Sequence, residues 1–166
     1  MEVVEQEKII GAINEKFEGE ILRIEMLYDF LTITLKKDSV IDIIRHLYHH
    51  PATQFQYLTT LCGIHYPERK QIAMMYQLHN LKSNVEVRLK IYLPEENPTV
   101  PTLTPVFAAA NWLERETYDF FGVIFQGHPN LKRILNVDEM SIFPMRKEYP
   151  LEDQTREDKN DTLFGR

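Results

Sequence analysis

At 166 residues, 43% of them hydrophobic and 27% charged, the chain has the size and composition of one globular domain with its own core. A net charge of −6 speaks against nucleic acid as a partner, since phosphate contact needs a surplus of Lys and Arg on one face. No run approaches the roughly 20 apolar residues of a membrane span, and Cys62 is the only cysteine, too few thiolates for an iron–sulfur cluster or a structural zinc.

The acidic start, Met1-Glu2-Val3-Val4-Glu5-Gln6-Glu7, reads as neither a secretory signal nor an Arg-rich transit peptide, and points to a cytoplasmic, soluble chain. Val3, Ile10, Ile13 and Phe17 recur at helical spacing, with Gly19 as the stop. Two strands follow, 20–27 and 30–36, around Tyr28-Asp29; in the first, Leu22, Ile24 and Met26 alternate against Ile21, Arg23 and Glu25. Asp38 or Ser39 caps a second helix whose inner face is Val40, Ile43, Ile44, Leu47 and Tyr48, with Pro51 past its end. Strands are expected over 55–66, 71–79 and 84–93. In the last, Val85, Val87, Leu89, Ile91 and Leu93 take the buried face, and Glu86, Arg88 and Lys90 the wet one. The order α-β-β-α-β-β-β predicts an α+β, two-layer fold, with a mixed or mostly antiparallel five-stranded sheet and helices on one face.

Residues 1–93 thus read as a compact sheet domain. Pro94, Pro98, Pro101 and Pro105 make 94–105 a stiff connector and not another strand, because proline fixes φ and lacks a donor. Thr104-Pro105 opens a third helix, 106–122, that Gly122 ends. From 123 to 166 periodicity fades into an extended tail whose last stretch, 152–161, is too polar to build a core.

Four features carry candidate chemistry. His46, His49 and His50 sit together, and His46 and His50 lie one helical turn apart, which suits zinc, but Leu47 stands where H-E-x-x-H has its Glu and no third ligand is evident, so histidines facing solvent at a helix C-terminus are the better reading. Cys62 reads as a small buried hydrophobe, with no base or electropositive setting to activate a thiolate. Glu114, Glu116 and Asp119 suggest an acid/base set, yet Glu114 and Glu116 point about 200° apart on a helix, and Arg115 and Asp119 at i,i+4 are placed to pair. Lys132-Arg133 and Arg146-Lys147 lack a Gly-rich loop for phosphate and fit partner carboxylates better.

Glu114-Arg115-Glu116-Thr117-Tyr118-Asp119-Phe120-Phe121, then six residues, then His128-Pro129-Asn130-Leu131-Lys132-Arg133-Ile134-Leu135 resembles the signature of the C subunit of respiratory complex I, the proton-pumping NADH:quinone oxidoreductase. Pro144-Met145-Arg146-Lys147-Glu148-Tyr149-Pro150-Leu151 is similar to the P-L-R-K-D-[FY]-P-L element that follows in that family. Met145 and Glu148 stand for Leu and Asp, and Glu139 and Ile142 fall where the family often has glycines.

The resemblance implies a peripheral-arm subunit without a redox centre, on the cytoplasmic side of the bacterial inner membrane. It would pack against the large quinone-site subunit and neighbouring iron–sulfur subunits. The flavin, iron–sulfur clusters and quinone would sit on those partners, with no catalytic, cofactor or metal residue here. Glu114, Arg115, Glu116, Asp119, His128, Pro129, Lys132, Arg133, Arg146, Lys147 and Tyr149 would then be interface residues, their charges setting register on the partner. Alternatives are the equivalent subunit of a membrane-bound hydrogenase or a ferredoxin- or deazaflavin-dependent complex and, more distantly, a free-standing α/β enzyme.

Overall fold

A computed structural model describes residues 3–149, so expectations for 150–166, including the polar stretch 152–161, lie outside it. The elements are α1 (Val3–Asn14), β1 (Ile21–Leu27), β2 (Phe30–Leu35), α2 (Val40–His49), β3 (Tyr57–Tyr66), β4 (Gln71–Asn80), β5 (Val85–Pro94), β6 (Thr99–Pro101), α3 (Ala110–Phe121) and β7 (Ile124–Gln126). Strands β1 to β5 form one mixed sheet in the order β1-β2-β5-β4-β3, in which only β2 and β5 run parallel. This is the α+β, two-layer arrangement expected from the element order.

Register fixes which side chains share a face. Leu31, Ile33, Val87, Leu89, Ile91, Met74, Tyr76 and Leu61 lie opposite one another across β2, β5, β4 and β3, and all are buried. Ile9 and Ile13 of α1 and Ile43, Ile44 and Leu47 of α2 close over that face. At the β3 end α3 completes the layer, its Phe121 ring lying on bare Gly63, where a Cβ would come within 2.8 Å of the ring. The opposite face keeps Arg88 stacked over Phe30 and Lys90 beside Tyr66 and Tyr92.

Several boundaries differ from the sequence reading. The Pro-rich connector does contain a strand: β6 pairs in parallel with β7, another strand that fading periodicity concealed. Proline tolerates this because Pro98 and Pro101 sit at the ends of the short segment, where a missing N–H breaks no ladder bond. The third helix begins at Ala110 and not beside Thr104-Pro105. Val106 and Phe107 N–H groups turn back onto the Leu103 carbonyl, and Leu103's own N–H is held by Glu114, so the chain turns first and coils afterwards. Ser39 occupies the N-cap position of α2, but its hydroxyl donates to Glu20 and not to the helix. Gly122, with φ of 74°, does end α3.

Candidate functional site

Helix α3 carries the sequence signature, and its carboxylates go to three different environments. Ala110, Glu114 and Thr117 recur at helical spacing and are buried, while Glu116 is exposed. That separation removes a shared acid/base site. Glu114 is 0% exposed. It accepts from the Thr102 hydroxyl at 2.5 Å and from the Leu103 N–H at 2.6 Å, tying the connector beneath the helix. Burial pushes its carboxyl up to about 7, against the pull of those two donors. The Tyr76 hydroxyl, buried nearby without a partner, is raised too, first by burial and then by the Glu114 charge.

Asp119 faces the other way, into the tail, and is also 0% exposed. Its carboxylate accepts five hydrogen bonds, from the backbone N–H groups of Ile134, Leu135 and Asn136, the Asn136 amide and the Arg133 guanidinium. Burial alone would raise its carboxyl, but the donors on Asn136, Leu135 and Arg133 hold it well below the usual carboxylate range. Arg133 pairs with Asp119 at 2.7 Å and also donates to the carbonyls of Asp119, Met140 and Ile142. Residues 133–142 lack regular structure, and this pair supplies the framework that helix or sheet bonds supply elsewhere.

The remaining signature residues extend the same scaffold. Arg115 does not pair with Asp119, as its i,i+4 spacing suggested; it donates to the carbonyls of Lys132 and Arg133. His128 donates from Nε2 to the Asn111 carbonyl and accepts the Asn130 N–H at Nδ1, with Pro129 between them at the turn. Arg146 donates to the Phe121 carbonyl and stacks on Phe143, whose ring covers Gly122. The backbone N–H of Lys147 reaches the buried His65, and that of Tyr149 reaches the Arg146 carbonyl. Lys132 and the Lys147 side chain are exposed. Charges read from sequence as facing a partner are therefore largely turned inward, onto the chain's own backbone.

Two histidine clusters have the composition of metal sites. Glu15 supplies the third group that sequence did not show beside His46 and His50, which are half-buried against α1, while His49 does face solvent. Both ring nitrogens of His50 are already engaged, however, and one of His46. His46 Nε2 donates to the Ala12 carbonyl. His50 Nδ1 accepts the Ala52 N–H, so its Nε2 keeps the proton and donates to Glu15 at 3.1 Å. His65, grouped with Glu95 and Glu148, accepts Lys147 N–H at Nδ1 and turns a protonated Nε2 toward Glu95 at 3.3 Å without completing a hydrogen bond. A ligating nitrogen needs a free lone pair; His50 and His65 have none and only His46 keeps an open Nδ1, so neither cluster presents a full set of ligands.

Thr102, Leu103, His65 and Asn136 went unnoticed in the sequence, since nothing in local spacing ties them to α3. The repeated His-Pro-x step, at His50-Pro51-Ala52 and at His128-Pro129-Asn130, was a usable signal: in both, the third residue's N–H caps the imidazole.

Known proteins resemble the chain over most of its length. The family described as respiratory-chain NADH dehydrogenase, 30 Kd subunit, matches residues 33–155. The C 2 subunit of NADH-quinone oxidoreductase from Rhizobium meliloti (strain 1021) is 38% identical over 143 residues, covering 86% of this chain and 78% of that protein. The corresponding C subunit from Mycolicibacterium gilvum (strain PYR-GCK) is 36% identical over 140 residues, covering 83% of this chain and 62% of its own length. The chain thus spans 62% to 78% of these two relatives. Among solved structures, a trypsin-resistant fragment of Nqo5 superposes with a TM-score of 0.62 at 28% identity, covering 76% of this chain and 99% of that one. A chain of the membrane-bound sulfane sulfur reductase, an archaeal respiratory membrane complex, superposes with a TM-score of 0.73 at 23% identity, covering 89% and 86%; this is a likeness of fold.

Proposed function

The chain belongs to the respiratory-chain NADH dehydrogenase 30 kDa subunit family, and from that premise we propose that it serves as a peripheral-arm subunit of a proton-translocating NADH:quinone oxidoreductase. Its task there is assembly, joining the large quinone-site subunit to iron–sulfur subunits on the cytoplasmic side of the membrane. Flavin, clusters and quinone are carried by those partners. Among the described residues no helix is long and apolar enough to cross a membrane, which suits a peripheral position.

The observation that carries this reading is the stapled tail. Asp119, Arg133, Arg115 and Arg146 hold an irregular segment rigid from within, while Leu135, Val137 and Met145 on that segment and Trp112 on α3 stay exposed. A segment ordered before it meets its partner loses little further conformational freedom on binding, and exposed apolar side chains on a fixed frame supply buried area. The inward charges make the shape, and the outward apolar groups make the contact.

The test separates the two roles. Replacing Leu135→Glu and Val137→Glu together should leave the melting temperature and circular dichroism of the purified chain unchanged. It should lower assembled complex on native gels at least tenfold. Normal assembly by this variant would remove the tail from the interface. The equivalent subunit of a related membrane complex is the second reading, favoured only at the level of fold; isolation of the native complex and assay of its electron donor distinguishes them.

A further inference from the structure

Strand β1 is an edge of the sheet, paired only with β2. Natural edge strands are usually guarded, by charge, proline or a covering element, because unpaired N–H and C=O groups invite another strand. This one carries an unusual load of exposed apolar side chains. Leu22 is 60% exposed, Ile24 44% and Met26 45%, all at alternate positions. Register places Ile24 opposite Ile33 and Met26 opposite Leu31, so they continue the buried face of the sheet beyond the reach of the helix layer. At the hairpin tip Tyr28 and Asp29 both have positive φ, 50° and 66°, in a turn better suited to Asn-Gly. Tyr28 is 90% exposed there, so the chain holds an aromatic in an unfavourable conformation with nothing of its own to cover it. The family match begins at residue 33, leaving β1 outside it.

We propose that β1 pairs antiparallel with β1 of a second copy of this chain, Ile24 facing Ile24, joining two five-stranded sheets into one continuous sheet. The charge pattern selects this occupant. With Ile24 on the two-fold axis, Arg23 lies opposite Glu25 of the other copy, and Glu25 opposite its Arg23. On the other face Ile24 meets Ile24, with Met26 and Leu22 of the two copies flanking it, so each face of the pairing is satisfied by like chemistry. Arg23 and Glu25 already bridge at 2.8 Å within one chain, on a side chain of Arg23 that is largely free, so either can exchange partners. The bulge between Ile21 and Arg23 falls at the margin of the paired segment and leaves Arg23 to Met26 regular. A single strand pair is a small interface, so the dimer is weak and concentration-dependent. It also leaves α3 and the tail, which pack at the β3 edge, free for other partners.

Sedimentation of the purified full chain over a range of concentrations tests the pairing. The wild type should pass from one chain to two as concentration rises. Arg23→Glu and Glu25→Arg, each alone, place like charges opposite each other and should weaken the dimer at least tenfold. Their mixture should regain it, because each variant then faces its complement across the axis. Circular dichroism checks that the substitutions, at exposed Arg23 and half-buried Glu25, keep the fold. A wild-type chain that stays monomeric throughout, a dimer indifferent to the single changes, or a mixture no tighter than its components would each overturn the proposal. The first of these would hand the edge to a strand from a different partner.

Discussion

Glu114 occupies a position where an ionised carboxylate is costly, with no exposed surface and only two donors to offset desolvation. The native state therefore holds on to a proton that the unfolded chain releases. The carboxyl titrates near 4.5 when unfolded and at about 7 in the fold. Stability from the protonated form is fully present below the lower value and is lost as pH rises through the upper one, up to about 3 kcal/mol over that window. Thr102 can serve both forms, since its hydroxyl can donate to the carboxylate or turn toward Thr104 and accept. Glu114→Gln mimics the protonated state and should match the wild type in urea unfolding near pH 4.5. Near pH 7.5 it should be the more stable protein. A difference between the two that does not vary with pH would show that Glu114 stays ionised throughout.

At the scale of elements, α3 and the tail act as one unit because Asp119 and Arg133 are both almost wholly shielded from water. Removing one member of such a pair costs about 3–5 kcal/mol, since the other is left uncompensated. Arg133→Ala also frees the Met140 and Ile142 carbonyls. Hydrogen exchange should therefore speed up at the amides of Ile134, Leu135 and Asn136, while β4 and β5 keep their protection. Unchanged exchange at those three amides would mean that the tail is held by something other than the pair. The position of the signature on a helix and the stop at Gly122 were readable from sequence, because both are local matters of spacing and glycine φ. The start of α3 was not. Thr104-Pro105 is a good opening by local rules, but Glu114, eleven residues from Leu103, claims the Leu103 N–H and delays the coil. The direction of the charges escaped for the same reason: Arg115 sees a carboxylate four residues away in sequence, yet in space it meets the carbonyls of Lys132 and Arg133.

Over the whole molecule, β5 was the clearest strand in the sequence because one face is buried and the other wet, a pattern that needs no knowledge of neighbours. Which strands it joins was hidden, since the parallel β2–β5 pairing depends on chain segments more than fifty residues apart. The small β6–β7 sheet was hidden likewise, three residues on each side being too short for periodicity. These nonlocal pairings bear on what the tail contributes. Among the described residues, the buried core draws its side chains from positions up to Phe125, with the tail beyond adding only a partly buried Leu131. A chain ending at residue 127 should therefore keep its sheet, visible in far-ultraviolet circular dichroism. It would also lose every donor to the Asp119 carboxylate, the Arg146 bond to Phe121, the Lys147 bond to His65 and the Phe143 ring over Gly122. Stripped of these, α3 is held only by its own inner face, Ala110, Leu113 and Phe121, and by the Glu114 bonds, and the melting temperature should fall on the order of 10 °C. The truncated chain should no longer co-purify with the other subunits, whereas the Leu135/Val137 variant should lose co-purification without loss of stability. If truncation leaves the melting temperature untouched, the inward charges only accompany the fold. If it abolishes the sheet signal, the tail belongs to the core and not to the interface.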